Sequence, residues 1–169
     1  MLLFKALSFF FLIISISGCG YSPLYGPKQN VKISSSFSKI YIKPIKDRTG
    51  QLLHNELERI LHSKGPSFPT THTLTVTLSE KTVSLGIKKS ALSTRQNLSI
   101  AAIYTFKAHD GSFVTRKFSN KITVSYNKYN SAFATLVTEQ NARNRAITEI
   151  AQEIKHHLGV FLKQKTKSK

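Results

Sequence analysis

The sequence predicts an α+β fold, two helices packed on one face of a four-stranded, mostly antiparallel sheet. Three observations predict it. Four stretches alternate apolar and polar residues with the period of a half-buried strand. Two others repeat apolar residues with the period of a helix. The order is strand, helix, three strands, helix, and the economical burial of such a set lays both helices over one sheet face. A chain of 169 residues with 40% hydrophobic content suits one core. Its single cysteine excludes an internal disulfide, so burial and hydrogen bonds must hold that core.

The first strand is "KIYIKPI", with Ile40, Ile42 and Pro44 on one face; Pro44 places it at an edge or a terminus. A helix follows in "KDRTGQLLHNELERILHSKGP". Leu53, Leu57, Ile60 and Lys64 fall at helical spacing, and Leu52 and Leu61 widen the stripe. Asp47 or Thr49 can cap its start, and Gly65-Pro66 stops it. In "THTLTVTLSEKTVSLGI" the apolar residues sit at Leu74, Val76 and Leu78, then shift to Val83, Leu85 and Ile87. A period of two cannot change parity within a regular strand, so a bulge is expected near Ser79–Thr82. The third strand alternates through Leu98, Ile100, Ala102, Tyr104 and Phe106, and Asp110-Gly111 supplies a hairpin turn. The fourth returns with Phe118, Ile122, Val124 and Tyr126, so the last three strands read as an antiparallel meander. From Ser131 to Leu162 a long helix carries Leu136, Ile147, Ile150, Ile154, Leu158 and Phe161, with Ala142, Ala146 and Ala151 beside the stripe and Arg143 as its exception. No proline interrupts it, and it would span roughly 45 Å at 1.5 Å per residue. Residues 163–169, "KQKTKSK", form a basic tail.

Ahead of this domain lies a different chemistry. Residues 1–18 carry one cation, Lys5, then an apolar run from Ala6 to Ile16, then small residues, which is the order of a secretory signal. The run is about 11 residues, too short for a bilayer core that needs about 20. Cys19 follows immediately, and Ile16-Ser17-Gly18-Cys19 resembles a bacterial lipobox, in which the signal is cut before the cysteine and the cysteine is acylated. Residues 19–38, rich in Pro, Gly and Ser, read as a tether between that anchor and a domain over residues 39–162.

The net charge is +17, from 25 Lys and Arg against 8 Asp and Glu, and calls for an anionic partner or an aqueous surface. The cations group: Lys88, Lys89 and Arg95 in and after the loop "GIKKSALSTR", Arg116, Lys117 and Lys121 on the fourth strand, and Lys107 on its neighbour. Such a group suits phosphate, with lysine a point charge and arginine a two-pronged donor. Lysines on an exposed edge strand also block unwanted strand pairing. Nucleic acid is excluded as a partner by the export signal.

Catalysis finds no support. The acidic residues sit on the polar faces of the helices or in turns: Asp47 reads as a cap, Glu80 as a strand-bend residue and Asp110 as a turn residue. His54 and His62 lie two turns apart on the first helix without an intervening ligand, so no metal site is expected, and no phosphate loop or nucleotide fingerprint occurs. The reading is of a non-enzyme without a cofactor.

The lipobox with "CGYSPLYG", the strand–helix unit "KIYIKPIKDRTGQLLHNELERIL" and the helix entry "SYNKYNSAFATLVTEQNARNRAITEIAQEI" together resemble the LPS-assembly lipoprotein LptE family, in a short, alphaproteobacterial-type form. The resemblance implies an outer-membrane lipoprotein, lipid-anchored on the periplasmic side. It implies a plug in the barrel of LptD that helps assemble it and pass lipopolysaccharide outward, with no reaction catalysed and no cofactor. It also implies that a basic residue between the second and third strands, where Lys88, Lys89 and Arg95 stand, contacts lipopolysaccharide. Two other readings compete: a stand-alone envelope lipoprotein binding an anionic glycolipid or cell-wall polymer, and a small envelope enzyme, for which no residue nominates itself.

Overall fold

A computed structural model describes residues 35–63, 65–85, 95–109 and 115–167. Cys19, the Lys88–Lys89 loop and the Asp110-Gly111 turn lie outside the described residues. The elements are β1 (Ile40–Ile42), α1 (Asp47–Leu61), β2 (His72–Leu85), β3 (Arg95–Ala108), β4 (Thr115–Asn127) and α2 (Ala132–Lys167). They form one sheet in the order β1-β2-β3-β4, parallel between β1 and β2 and antiparallel elsewhere. The α+β fold of the sequence is thus the observed one. The parallel pair follows from α1, which carries the chain back to the starting edge so that β2 begins beside β1. Pro44 lies just past β1, which stands at the sheet edge. Ile45, not Pro44, joins Ile40 and Ile42 in the core.

The unbroken register orients the molecule. One end, the base, holds Ile40, His72, Ala108 and the start of β4; the other, the tip, holds Leu85, Arg95, Asn127 and the start of α2. Even-numbered residues of β2, β3 and β4 face the helices. Leu74, Val76, Leu98, Ile100, Tyr104 and Phe106 are buried there against Leu53, Leu57 and Leu61 of α1 and Ile147, Ile150, Ile154 and Leu158 of α2. Ala142, Ala146 and Ala151 are also buried, and their small side chains let α2 lie close to its neighbours. Both helix stripes were legible except at their margins: Leu52 is 37% and Leu136 50% exposed. No described helix is long and apolar enough to cross a membrane.

Three local expectations are corrected. No bulge occurs near Ser79–Thr82, because β2 pairs with β3 in one register from His72↔Ala108 to Leu85↔Arg95. The parity shift has another cause: Val83 and Leu85 lie on the opposite face, which no described element covers, and Glu80 occupies the covered one. Neither Asp47 nor Thr49 caps α1; the cap position is Lys46, with no side-chain hydrogen bond, and the Thr49 hydroxyl donates to Glu80 Oε2 at 2.9 Å. The chain enters α1 tightly instead, since a Cβ on Gly50 would stand 2.8 Å from Ile45 Cγ2. Finally, α2 continues to Lys167, beyond the last apolar residue at Leu162.

Candidate anion-binding surface

Strand alternation builds the surface. Both helices cover one face of the sheet, so the odd-numbered residues of β2, β3 and β4 share the other face. They are chiefly hydroxyls: Thr73, Thr75, Thr77 and Ser79 on β2, Ser99 and Thr105 on β3, Ser119, Thr123 and Ser125 on β4. Ser99 bonds Thr123 across the strands at 2.9 Å, and Ser125 donates to Asn97 Oδ1 at 2.6 Å. Among them stand Lys81, Arg95, Lys107, Lys117 and Lys121, and no acidic residue. The one carboxylate of the described strands, Glu80, is turned to the helices and bound there. An open face with five cations and no anion has a field of one sign, which concentrates anions at it.

At the tip this face turns into a cleft of about 410 Å³ beside the end of β4, lined by Arg95, Asn127, Tyr129, Asn141 and Arg145 among others. It adjoins a wider depression of about 720 Å³ that adds Lys128 and Asn130. Hydroxyls of the "SYNKYNSAFAT" segment and of Thr138 set its shape. Ser131 Oγ accepts from the Ala134 N–H at 3.3 Å and so caps α2, Thr135 Oγ1 accepts from the Tyr129 N–H at 2.9 Å, and Thr138 donates to the Asn127 carbonyl at 2.9 Å. Arg145 reaches the Ser125 carbonyl at 3.5 Å. Guanidinium, carboxamide and phenol groups around one opening make a donor-rich site for an oxyanion.

The structure sorts the sequence candidates. Arg95, Lys107, Lys117 and Lys121 share the open face, spread from Lys107 at the base to Arg95 at the tip, where Arg95 also lines the cleft. Arg116 does not join them: it is an even residue and stands at the rim of the helix-covered face beside Phe118 and Phe161. Lys88, Lys89 and Cys19 lie outside the described residues. Lys81, Lys128, Asn141 and Arg145 were missed. Counting β2 in an unbroken period would have placed Lys81 with the others; nothing in the sequence marks Arg145, which reaches the cleft because α2 starts over the end of β4.

The covered side explains the remaining polar groups. Glu80, expected as a strand-bend residue, ties α2 to β2: Arg143 donates to it at 2.7 Å and to Glu139 at 2.7 Å. His54 of α1 and His62, just past its end, do have a carboxylate between them. Glu58 Oε2 meets His62 Nδ1 at 2.5 Å, while the other His62 nitrogen meets the Ile40 carbonyl at 3.0 Å, so the ring links α1 to β1. No group of three potential ligands among the described residues is arranged for a metal ion. Tyr104 is pushed up to about 12 by burial and, secondarily, by the Glu153 charge, so its hydroxyl keeps its proton and bonds His157 Nδ1.

The Arg143 hydrogen bond holds Glu80 below the usual carboxylate range despite partial burial. A depressed folded value stabilises the fold above the unfolded value and is lost as pH falls through the folded one. Thermal unfolding scans are therefore expected to show the midpoint falling as pH drops below about 4.3. Glu80→Gln should flatten that slope without abolishing it, because Glu56, lowered by its hydrogen bond from Arg59, keeps part of it. An identical slope in the variant would contradict this assignment.

Comparison with known proteins gives a family and a fold. A family model described as LptE, lipopolysaccharide-assembly, matches residues 37–158. Among solved structures, the fold is similar to a candidate lipoprotein from Caulobacter crescentus at TM-score 0.64 and 22% identity, over 79% of this chain and 97% of that one. It is also similar to a minor lipoprotein from Acinetobacter baumannii at TM-score 0.59 and 16% identity, over 73% and 92%. A third, rare lipoprotein B from Shewanella oneidensis, matches at TM-score 0.57 and 10% identity, over 74% and 96%. At these identities the likeness establishes the fold. A search of curated proteins returned no match.

Proposed function

This chain belongs to the LptE lipopolysaccharide-assembly family, and from that premise we propose that it is an acylated outer-membrane lipoprotein that plugs an LptD-like barrel. In this reading it helps the barrel fold and helps lipopolysaccharide pass to the outer leaflet, with no covalent reaction of its own. Cys19 carries the acyl chains, and the residues after it tether the domain on the periplasmic side; the tether ends before Phe37 and Ser38, which the sequence alone assigns to it and which are buried in the folded unit.

The observation that carries the reading is the acid-free hydroxyl and lysine face. The interior of a barrel is polar, and a plug must meet it with hydrogen-bonding groups and a complementary charge. A sheet face of threonines, serines and five cations meets those demands toward an acidic wall. The tip cleft adds a second element. Its Arg95, Lys128 and Arg145 suit the phosphates of lipopolysaccharide.

The test is recovery of a barrel from detergent-solubilised outer membrane. Wild-type chain is expected to bring down one large barrel protein. The double change Lys117→Glu, Lys121→Glu is expected to lower that recovery at least about tenfold, since like charges across an interface cost several kcal/mol. Recovery of lipopolysaccharide with no barrel, unchanged by the double change, would instead favour the stand-alone glycolipid-binding lipoprotein.

A further inference from the structure

The base of the molecule is built unlike the tip. The described chain begins there, and the loop between α1 and β2 is pinned to that beginning: Ser67 N–H donates to the Ser38 carbonyl at 2.7 Å and Thr71 N–H to the Lys39 carbonyl at 2.8 Å. This fixed loop holds Phe68 out at 80% exposure, the most exposed large apolar side chain described. Single exposed aromatic side chains are ordinary on a protein surface; this one is set apart by its anchored loop and by its place at the end where the described chain begins.

At the same end, between the first residues of β4 and the last turns of α2, runs a groove of about 320 Å³. Phe118 and Phe161 make its floor; Arg116, His156, His157 and Gln164 make its polar wall, and no carboxylate lines it. The His157 ring stacks on Phe118 at 5.3 Å and 15°. Its tautomer follows from hydrogen-bond accounting. Tyr104 is fully buried and its hydroxyl meets His157 Nδ1, so the phenol donates, Nδ1 accepts and Nε2 carries the ring proton. The groove thus offers a guanidinium and an imidazole N–H above an apolar floor, a donor set for a phosphate attached to an apolar body.

We infer that the base is a bilayer-facing surface, Phe68 entering the interfacial region of the membrane and the Arg116–His157 groove taking the phosphate of an anionic phospholipid. The inference deepens the lipoprotein reading and rests on it in one respect: acylation of Cys19 would bring this end to the membrane. The chain from Cys19 to Ser35 can reach at most about 55 Å, so a tether alone leaves the orientation of the domain undetermined. An aromatic anchor together with a headgroup site would determine it, by the same combination of buried apolar area and attraction to anionic lipid that seats interfacial proteins.

The test uses residues 19–169 with Cys19→Ser, which cannot be acylated; every buried hydrophobic among the described residues lies between Phe37 and Leu162, so that folded unit is retained. Sedimentation with vesicles of phosphatidylethanolamine and phosphatidylglycerol is compared with sedimentation on phosphatidylcholine. Binding is expected to the anionic vesicles alone. The base variant Phe68→Ser, Arg116→Gln should lose it about tenfold, Arg116 accounting for about fivefold of that. A matched variant on α1 away from the base, Arg48→Gln, Leu52→Ser, removes one cation and one exposed apolar group and should lose less than about twofold. Equal losses in the two variants would show general attraction of a basic protein and overturn the proposal, as would no binding to either vesicle. Titration with inorganic phosphate reads the groove by itself: if phosphate shifts the His157 resonances while vesicle binding ignores the base variant, the groove takes a free anion and the bilayer assignment fails. Labelling of the wild-type chain with fatty acid reports the anchor separately, so failure of one idea leaves the other standing.

Discussion

Phe106→Ala is expected to destabilise the domain by about 3–5 kcal/mol, the usual cost of removing a fully buried phenyl ring from a core that relaxes only in part. The ring is completely buried on the covered face near the base. One side lies parallel to His72 with centroids 4.7 Å apart and planes 3° from coplanar; its neighbour Phe161 meets it edge-on at 5.3 Å and 88°. The substitution therefore removes the surface that joins β2, β3 and the last turns of α2. A domain of this size is stable by about 5–15 kcal/mol, so the loss approaches the smaller of these values. Denaturant unfolding followed by circular dichroism should show the midpoint falling with the slope unchanged. A loss below about 1 kcal/mol would mean that α2 does not close over the base as described. The exposed Phe133, 76% accessible at the tip, is the comparison: its alanine variant should leave the midpoint nearly where it was.

Replacing Cys19 with alanine is expected to move the protein from the membrane fraction to the soluble fraction, or to leave it with its signal uncut. Each buried methylene contributes about 0.8 kcal/mol; one chain gives reversible binding, and two or more make it lasting. Removal of all of them should change the partition at least about a thousandfold. What remains should be the weak attachment of the base, which high salt will release because it depends on exposed charge. Fractionation in low and high salt, with radioactive fatty acid labelling of the wild type, reads both effects. An alanine variant that matures normally and withstands high salt in the membrane fraction would end the lipoprotein reading.

The elements were legible because their signals are local. Leu53, Leu57 and Ile60 mark a helix by spacing alone, and Leu98 to Phe106 mark a strand by alternation alone. The errors fall where a neighbour distant in sequence decides. Thr49 fits a cap by type, yet its hydroxyl faces Glu80, 31 residues away. Glu80 sits where the apolar parity breaks; its role depends on Arg143, 63 residues on, which completes an ion pair that no local pattern announces. Among the cations, Arg116 and Lys117 are adjacent in the chain and were grouped, but a strand sends successive side chains to opposite faces. One therefore belongs to the open face and the other to the groove at the base.

The sequence by itself determined the element order, the two helix stripes and the strand alternation, together with the basic excess. Each of these is written in neighbours a few residues apart, through the periods of helix and strand or through simple composition. Only the tertiary structure decided which sheet face the helices cover, and hence that five cations share an acid-free face while Arg116 joins two histidines. The reason is geometric: alternation defines two faces without saying which one is buried, and that choice is made by where α1 and α2 cross the sheet.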